Sequence, residues 1–260
     1  RATLVSGQTA EATAKGVRRA ATKAHLQNNL GIAEHLYQQL LDGPHQKSSD
    51  WANLGALLRS QGRLDEAIAL YEKGLKICRL DTDLCLNASN AFREGGLLET
   101  SELILSQGLL LDPDSLPLNH SLAKTWISAS RNHEACRLLR ELTLQDSTIH
   151  DLWADLGIAQ AHLGQPGLAL KAFKEALSID PNHLLTRANC ITLLADQRLI
   201  EDAQSVLNDT PNEQGCAKEI RTAKANLLMA RQDMGEASET LYQLCLEEPE
   251  SAQHWLNLSA

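Results

Sequence analysis

The chain has 260 residues, of which 43% are hydrophobic and only 3% are aromatic. Its 33 acidic and 24 basic residues give a formal net charge of −9, which argues against general binding to nucleic acid phosphates because that needs clustered cations. The sequence contains neither an apolar run long enough to span a membrane nor a signal-peptide pattern. We therefore expect no nucleic-acid partner and no membrane partner.

The cysteines and histidines give no sign of a metal or catalytic site. The six cysteines form no CxxC pair, and Cys85 and Cys190 occupy slots that hold Trp or Leu elsewhere, which favours core packing. Reduced thiols fit a cytoplasmic location. The nine histidines are scattered, and no phosphate-binding glycine loop or Ser/His/Asp arrangement is evident. We expect no metal, no cofactor and no catalytic residue.

In chain order, residues 1–13 are small and polar, and we interpret them as a leader or the end of a preceding repeat. A period of 34 residues then runs from residue 14 to residue 251 without an insertion. It predicts seven tandem repeats that begin at residues 14, 48, 82, 116, 150, 184 and 218. Residues 252–260 fit the truncated first helix of an eighth repeat, so we expect a fragment of a longer protein.

Three slots recur through these repeats and predict two closely packed helices in each. The first helix has a small residue at Ala21, Gly55, Ser89, Ala123, Gly157 and Ala225, with Ile191 as the bulky exception. The second helix has a small residue at Ala33, Ala67, Ser101, Ala135, Ala169, Ala203 and Ala237. Four positions later it has a large apolar residue at Tyr37, Tyr71, Leu105, Leu139, Phe173, Leu207 and Leu241.

The sixth repeat departs from this pattern. Arg187 stands where a large apolar residue is usual, and Pro211 enters four residues before the normal turn. Because proline lacks a backbone donor and clashes with the preceding helical turn, we expect the second helix to end near Asp209.

Residues 150–182 show the full pattern, with Trp153, Leu156-Gly157, Gly164, Ala169 and Phe173 followed by Ala176 and Pro181. This pattern resembles the tetratricopeptide repeat, a helix–turn–helix unit. The resemblance covers about nine-tenths of the chain. It implies an all-α solenoid of helical repeats that forms a right-handed superhelix, with the first helices lining a concave groove.

One groove slot is rich in asparagine. The sixth residue of each repeat reads Arg19, Asn53, Asn87, Ser121, Asp155, Asn189, Ala223 and Asn257. Asparagine is unfavourable inside helices, but its amide both donates and accepts, so a column of asparagines suits the backbone of an extended peptide. The column resembles the asparagine ladder of the repeat arrays in O-linked N-acetylglucosamine transferases. The alternative is that these amides cap helices or bridge adjacent repeats.

A second groove feature is cationic. Arg59 and Arg93 lie one period apart and are therefore stacked, and Arg18, Arg19 and Lys124 are candidates for the same part of the groove. Such a patch favours acidic peptides or C-terminal carboxylates through charge-assisted hydrogen bonds. The alternative is an ordinary solvated helix face.

The sequence therefore predicts a non-catalytic scaffold that binds a protein or extended peptide, as the recruiting arm of a larger protein. Two alternatives stay open. One is the substrate-recognition part of a glycosyltransferase or sulfotransferase that carries repeats. The other is an assembly scaffold that binds through its convex face. The oligomeric state is not predicted.

Overall fold

The computed structural model describes residues 2–211 and 217–247, with side chains from Glu11 onward. Within these ranges the chain forms fourteen α-helices and no strand. In order they are α1 (Ala2–Leu26), α2 (Leu30–Leu41), α3 (Ser48–Ser60), α4 (Leu64–Ile77), α5 (Thr82–Glu94), α6 (Leu98–Leu111), α7 (Leu116–Ser128), α8 (Asn132–Gln145), α9 (His150–His162), α10 (Pro166–Ile179), α11 (Leu184–Asp196), α12 (Ile200–Asn208), α13 (Lys218–Arg231) and α14 (Met234–Glu247).

Within each of the two compact units, the helices alternate as the first and second members of helical hairpins. From α3 onward the first helices begin at regular intervals of one period, at Ser48, Thr82, Leu116, His150, Leu184 and Lys218. These starts coincide with the predicted starts of repeats two to seven. Residues 2–13 are helical and continuous with the first helix of repeat one.

Each hairpin turn needs one residue in the left-handed region. Positive φ angles of 58° to 76° recur once in every repeat, at Asn28, Gly62, Gly96, Ser130, Gly164, Arg198 and Gln232. Glycine adopts this conformation without the steric cost that a Cβ brings. The three glycines therefore fit the turn best, and the other four residues carry local strain.

The small slots allow close approach of the paired helices. A Cβ built on Gly157 would lie 2.5 Å from Cε1 of Phe173, and one on Gly55 would lie 2.2 Å from Cζ of Tyr71. Both rings are at most 1% exposed. Each glycine therefore makes room for the large residue of its own hairpin.

The chain divides into two compact units, residues 1–129 and 130–260. In the first unit α3 packs on α2, α4 and α5, and α5 packs on α6 and α7. A partly buried ion pair also fastens α1 to α3. Nε of Arg18 donates to Oδ1 of fully buried Asp50 at 2.5 Å, and the backbone N of Lys47 donates to Oδ2 at 2.9 Å. The hydrogen bond to Asp50 raises the pKa of Arg18.

Asp50 is the third residue of α3, and Lys47 rather than a serine precedes the helix as its N-cap. A hydroxyl network lies deeper in the same unit. Oγ of Ser101 lies 3.0 Å from Oγ1 of Thr125, and Oγ of Ser121 donates to Oδ1 of Asn90 at 3.1 Å. These groups replace apolar contacts where α5 meets α6 and α7.

The second unit contains the irregular sixth repeat. As predicted, its second helix α12 ends at Asn208, just before Asp209. Arg187 is 8% exposed, and its guanidinium donates to the carbonyls of Pro181 at 2.5 Å and Val206 at 3.2 Å. The arginine therefore satisfies a carbonyl in the last turn of the shortened helix.

The cysteines behave as expected for core residues. Cys85, Cys136, Cys190 and Cys245 are buried and none of them forms a disulfide. Burial raises the pKa of the Cys85 thiol to about 11. Among the described residues, no helix combines the length and hydrophobicity needed to cross a bilayer.

Candidate peptide-binding surface

We call the solvent-facing side of the first helices the first-helix face, and describe it separately in each unit. Asn53 on α3 and Asn87 on α5 are half-buried on this face of the first unit. The Nδ2 of Asn87 donates to the carbonyl of Asp83 at 2.9 Å, which leaves its second N–H and its amide oxygen for external groups.

The second unit holds two further members of the sixth slot, Asp155 on α9 and Asn189 on α11, both half-buried. Asn189 lines a shallow cavity of about 430 Å³ together with His162 and Asp196. Burial raises the pKa of Asp196. Among the described residues, no lysine or arginine lines this cavity, so it lacks the positive charge predicted for the groove of the first unit.

The sixth slot does not face outward in every repeat. Ser121 is 4% exposed because its hydroxyl joins the network around Asn90, and Ala223 is 1% exposed. The expectation of an outward residue is wrong at these two positions. Asn257 lies outside the described residues, so the described asparagines of the column are Asn53, Asn87 and Asn189.

The predicted cations have different surroundings. Nε of Arg59 lies 3.4 Å from Oε2 of Glu94, while its buried Nη1 makes no hydrogen bond in the structure. Nη2 of Arg93 lies 3.4 Å from Oδ1 of Asn90. Lys124 is half-buried on α7. Nε of Arg93 is likewise buried without a hydrogen bond, so neither of these two unsatisfied guanidinium atoms faces solvent.

A cleft of about 930 Å³ lies between α1 and the segment that joins α2 to α3. Four exposed cations line it, Lys15, Arg19, Lys23 and Lys47, and Glu11 is the acidic residue in the lining. Arg18 also lines the cleft, but its pairing with buried Asp50 makes it a structural residue. This corrects its interpretation as a free groove cation.

The cations of α1 are evident in the sequence but the cleft is not, since the contribution of residues 44–47 depends on how the connector folds. A group of side chains in the second unit is likewise not predicted by the sequence. His150, Asp151 and His183 each place one potential metal ligand atom within 4.8 Å of the other two. The signal available in the sequence was the separation of the two histidines, which is close to one period.

Family models and solved structures agree with a fold of repeated helical hairpins. The family model described as Tetratricopeptide repeat matches residues 49–81 and, in a second form, residues 160–225. No curated protein matches the sequence.

A tetratricopeptide repeat protein from Parabacteroides merdae has a TM-score of 0.77 at 13% identity, with 95% of this chain and 97% of that chain covered. A chain of the APC/C hetero-tetramer Cut9-Hcn1 has a TM-score of 0.75 at 15% identity, with 92% and 47% covered. PilF of Pseudomonas aeruginosa has a TM-score of 0.63 at 18% identity, with 82% and 95% covered. At these identities the likeness concerns the fold.

The protein belongs to the class of all-α solenoids built from helical hairpins. Within that class the chain carries tetratricopeptide repeats, which the family models match over residues 49–81 and 160–225. Such arrays serve in general as scaffolds for protein interaction, because stacked repeats present extended surfaces to a partner.

Proposed function

We propose that this chain is a non-catalytic scaffold that binds an extended acidic protein segment on the first-helix face of its first unit. The cationic cleft at α1 is the observation that supports this most directly. Four exposed cations surround a volume of about 930 Å³ in a chain whose net charge is −9. Such a local excess of positive charge attracts carboxylates and suppresses cationic partners.

The amides of Asn53 and Asn87 continue the site along α3 and α5. They occupy the same slot as Arg19 in successive repeats and are partly accessible to solvent. An amide recognises the peptide backbone with little regard to side chains, whereas the lysines and Arg19 select acidic residues.

The charge component is tested with an immobilised peptide library ranked by net charge. We expect acidic peptides to bind, and added salt to weaken binding because exposed charges are screened. The Lys15→Glu/Lys23→Glu variant should bind about tenfold more weakly. The control is Lys73→Glu/Lys76→Glu, which makes the same charge change on exposed positions of α4. Equal affinity in the two variants rules out the cleft as the binding site.

The amide component needs a second comparison. We expect Asn53→Ala/Asn87→Ala to weaken binding of the same peptides, while Gln38→Ala/Gln39→Ala on exposed positions of α2 leaves it unchanged. Asn189→Ala, made separately, tests whether the second unit contributes. Full binding by the Asn53/Asn87 variant would assign these amides a purely structural role.

A second candidate function is assembly through the second helices. Leu103 and Leu110 on α6 are 57% and 83% exposed, although large apolar side chains in water favour burial against a partner. Leu103→Gln/Leu110→Gln should then abolish partner capture while acidic-peptide binding stays intact. For location we propose the cytoplasm, since the five described cysteines are free thiols.

A further inference from the structure

Two histidines from successive repeats meet in the second unit. His150 is the first residue of α9, and His183 immediately precedes α11 as its N-cap. Their ring centroids are 4.1 Å apart with the planes inclined at 47°. The side chain of His150 is only 11% exposed, so water does not fully solvate the pair. Asp151 lies beside them, with Oδ1 3.1 Å from Nδ1 of His150.

The hydrogen bonds around these rings indicate which ring nitrogens carry lone pairs. The backbone N of Thr186 donates to Nδ1 of His183 at 3.3 Å, so that nitrogen carries a lone pair and no proton. When Nδ1–H of His150 donates to Asp151, Nε2 of His150 also carries a lone pair.

Both lone pairs face the same hydroxyl. Oγ1 of Thr186 lies 3.0 Å from Nε2 of His150 and 2.9 Å from Nδ1 of His183. A hydroxyl has one proton and can donate to only one of these two nitrogens. The hydroxyl can therefore donate to Nε2 of His150 while the backbone N–H of Thr186 donates to Nδ1 of His183, and the Asp151 carboxylate adds negative charge beside the neutral rings. This arrangement favours a bound cation.

Two imidazoles and one carboxylate are a ligand set for a divalent transition metal, and Zn²⁺ accepts these nitrogen and oxygen donors. One ligand atom from each residue already lies within 4.8 Å of the other two. In a tetrahedral zinc site with Zn–N bonds of about 2.0 Å, ligand atoms are roughly 3.4 Å apart. The remaining movement of about 1 Å is accessible because the Asp151 side chain is 66% exposed.

We propose that His150, Asp151 and His183 form a Zn²⁺ site that joins the first helices of the fifth and sixth repeats. Water completes the coordination. The metal fastens α9 to the N-terminus of α11 and thereby stabilises the second unit, since a ligand that binds only the folded state shifts the unfolding equilibrium. The site lies at the helix N-termini and is independent of the peptide-binding proposal for the first unit.

The test uses the full chain, stripped of metal with a chelator and titrated with Zn²⁺ by calorimetry. Co²⁺ replaces Zn²⁺ as a spectroscopic probe, because its visible absorption reports coordination by nitrogen and oxygen. We expect one metal per chain at the histidine site and a higher Tm with Zn²⁺. His183→Asn keeps an N-cap acceptor on α11 while it removes the imidazole, so this variant should fold and bind Zn²⁺ at least tenfold more weakly.

His150→Gln provides a second disruption, and His133→Gln on an exposed position of α8 is the matched control. The proposal requires both site variants to lose the Zn²⁺-dependent rise in Tm and the control to keep it. It is overturned if wild-type protein shows no such rise. It is equally overturned if His183→Asn binds Zn²⁺ as tightly as wild type, which would assign the metal to other residues.

Discussion

Replacing Gly157 with alanine tests how closely the hairpin helices are packed. The added Cβ would lie 2.5 Å from Cε1 and 2.6 Å from Cδ1 of Phe173, whereas ordinary contact begins near 3.4 Å. The ring must therefore move by about 1 Å. Phe173 is 1% exposed and packs among buried side chains that include Ile191 and Ala188, so such a shift disturbs the neighbouring repeat.

Two opposing effects set the magnitude. Overpacking a well-packed core costs about 1–3 kcal/mol. Alanine in a helix interior is favoured over glycine by roughly 0.5–1 kcal/mol, because glycine loses more backbone entropy on folding. We expect Gly157→Ala to lower the free energy of unfolding by about 1–2 kcal/mol. Gly167→Ala in the first turn of α10 meets no atom within 4 Å and should raise it by a few tenths.

The assay is urea unfolding of both variants followed by circular dichroism at 222 nm. A Phe173→Leu change in the Gly157→Ala background removes ring atoms from the collision. We therefore expect its cost to be smaller there than in wild type, which gives a coupling energy of about 1 kcal/mol. If Gly157→Ala instead stabilises the protein as much as Gly167→Ala does, close packing of the ring on this glycine is refuted.

Further predictions use the same urea assay. Gly164→Ala should lower the free energy of unfolding by about 1 kcal/mol, because alanine at a positive φ is strained. Gln232→Gly at the equivalent turn should raise it by about half as much. If both variants change stability in the same direction, the turn argument is contradicted. Asp50→Ala should cost about 2 kcal/mol because it removes hydrogen bonds to the Arg18 guanidinium and to the backbone N of Lys47, and a neutral result would refute the ion pair. Partial desolvation raises the pKa of the largely exposed Asp196, so ionisation is slightly less favourable in the folded state than in the unfolded state. Asp196→Asn should stabilise the folded protein at pH 7. This gain in stability should vanish near pH 3, because the carboxyl is then protonated in both states, below the ordinary Asp pKa of about 3.9. A gain that persists at pH 3 would mean that the charge of Asp196 is not its cause.

The repeat period predicted the hairpins well because their interiors impose a residue size at each slot. Gly55, Ala67 and Tyr71 illustrate this, since the ring of Tyr71 lies against Gly55 and all three residues are buried. Where a slot breaks the size rule the packing changes with it. Bulky Ile191 is fully buried, and Leu207, the large residue of the same hairpin, is left partly exposed.

The candidate site was harder to predict, because the size of a slot does not determine where a polar side chain packs. Arg18 and Arg19 are adjacent in the sequence, yet Arg18 binds buried Asp50 and Arg19 is exposed in the cleft. Ser121 shares a slot with Asn87 but is buried, since Asn90 offers its hydroxyl an acceptor. The destination of a polar side chain therefore depends on its partners in space, which the period alone does not specify.

The sixth repeat shows how two departures from the pattern depend on each other. Pro211 shortens α12 to nine residues, whereas α10, the second helix before it, has fourteen. The early end leaves carbonyls of the last helical turn without intrahelical donors. Arg187 donates to one of them, the carbonyl of Val206, and so does the hydroxyl of Thr210. A leucine at position 187 would match the other repeats in size but would supply no donor. The proline that follows α12 therefore explains the arginine, because the shortened helix leaves a carbonyl to which Arg187 donates.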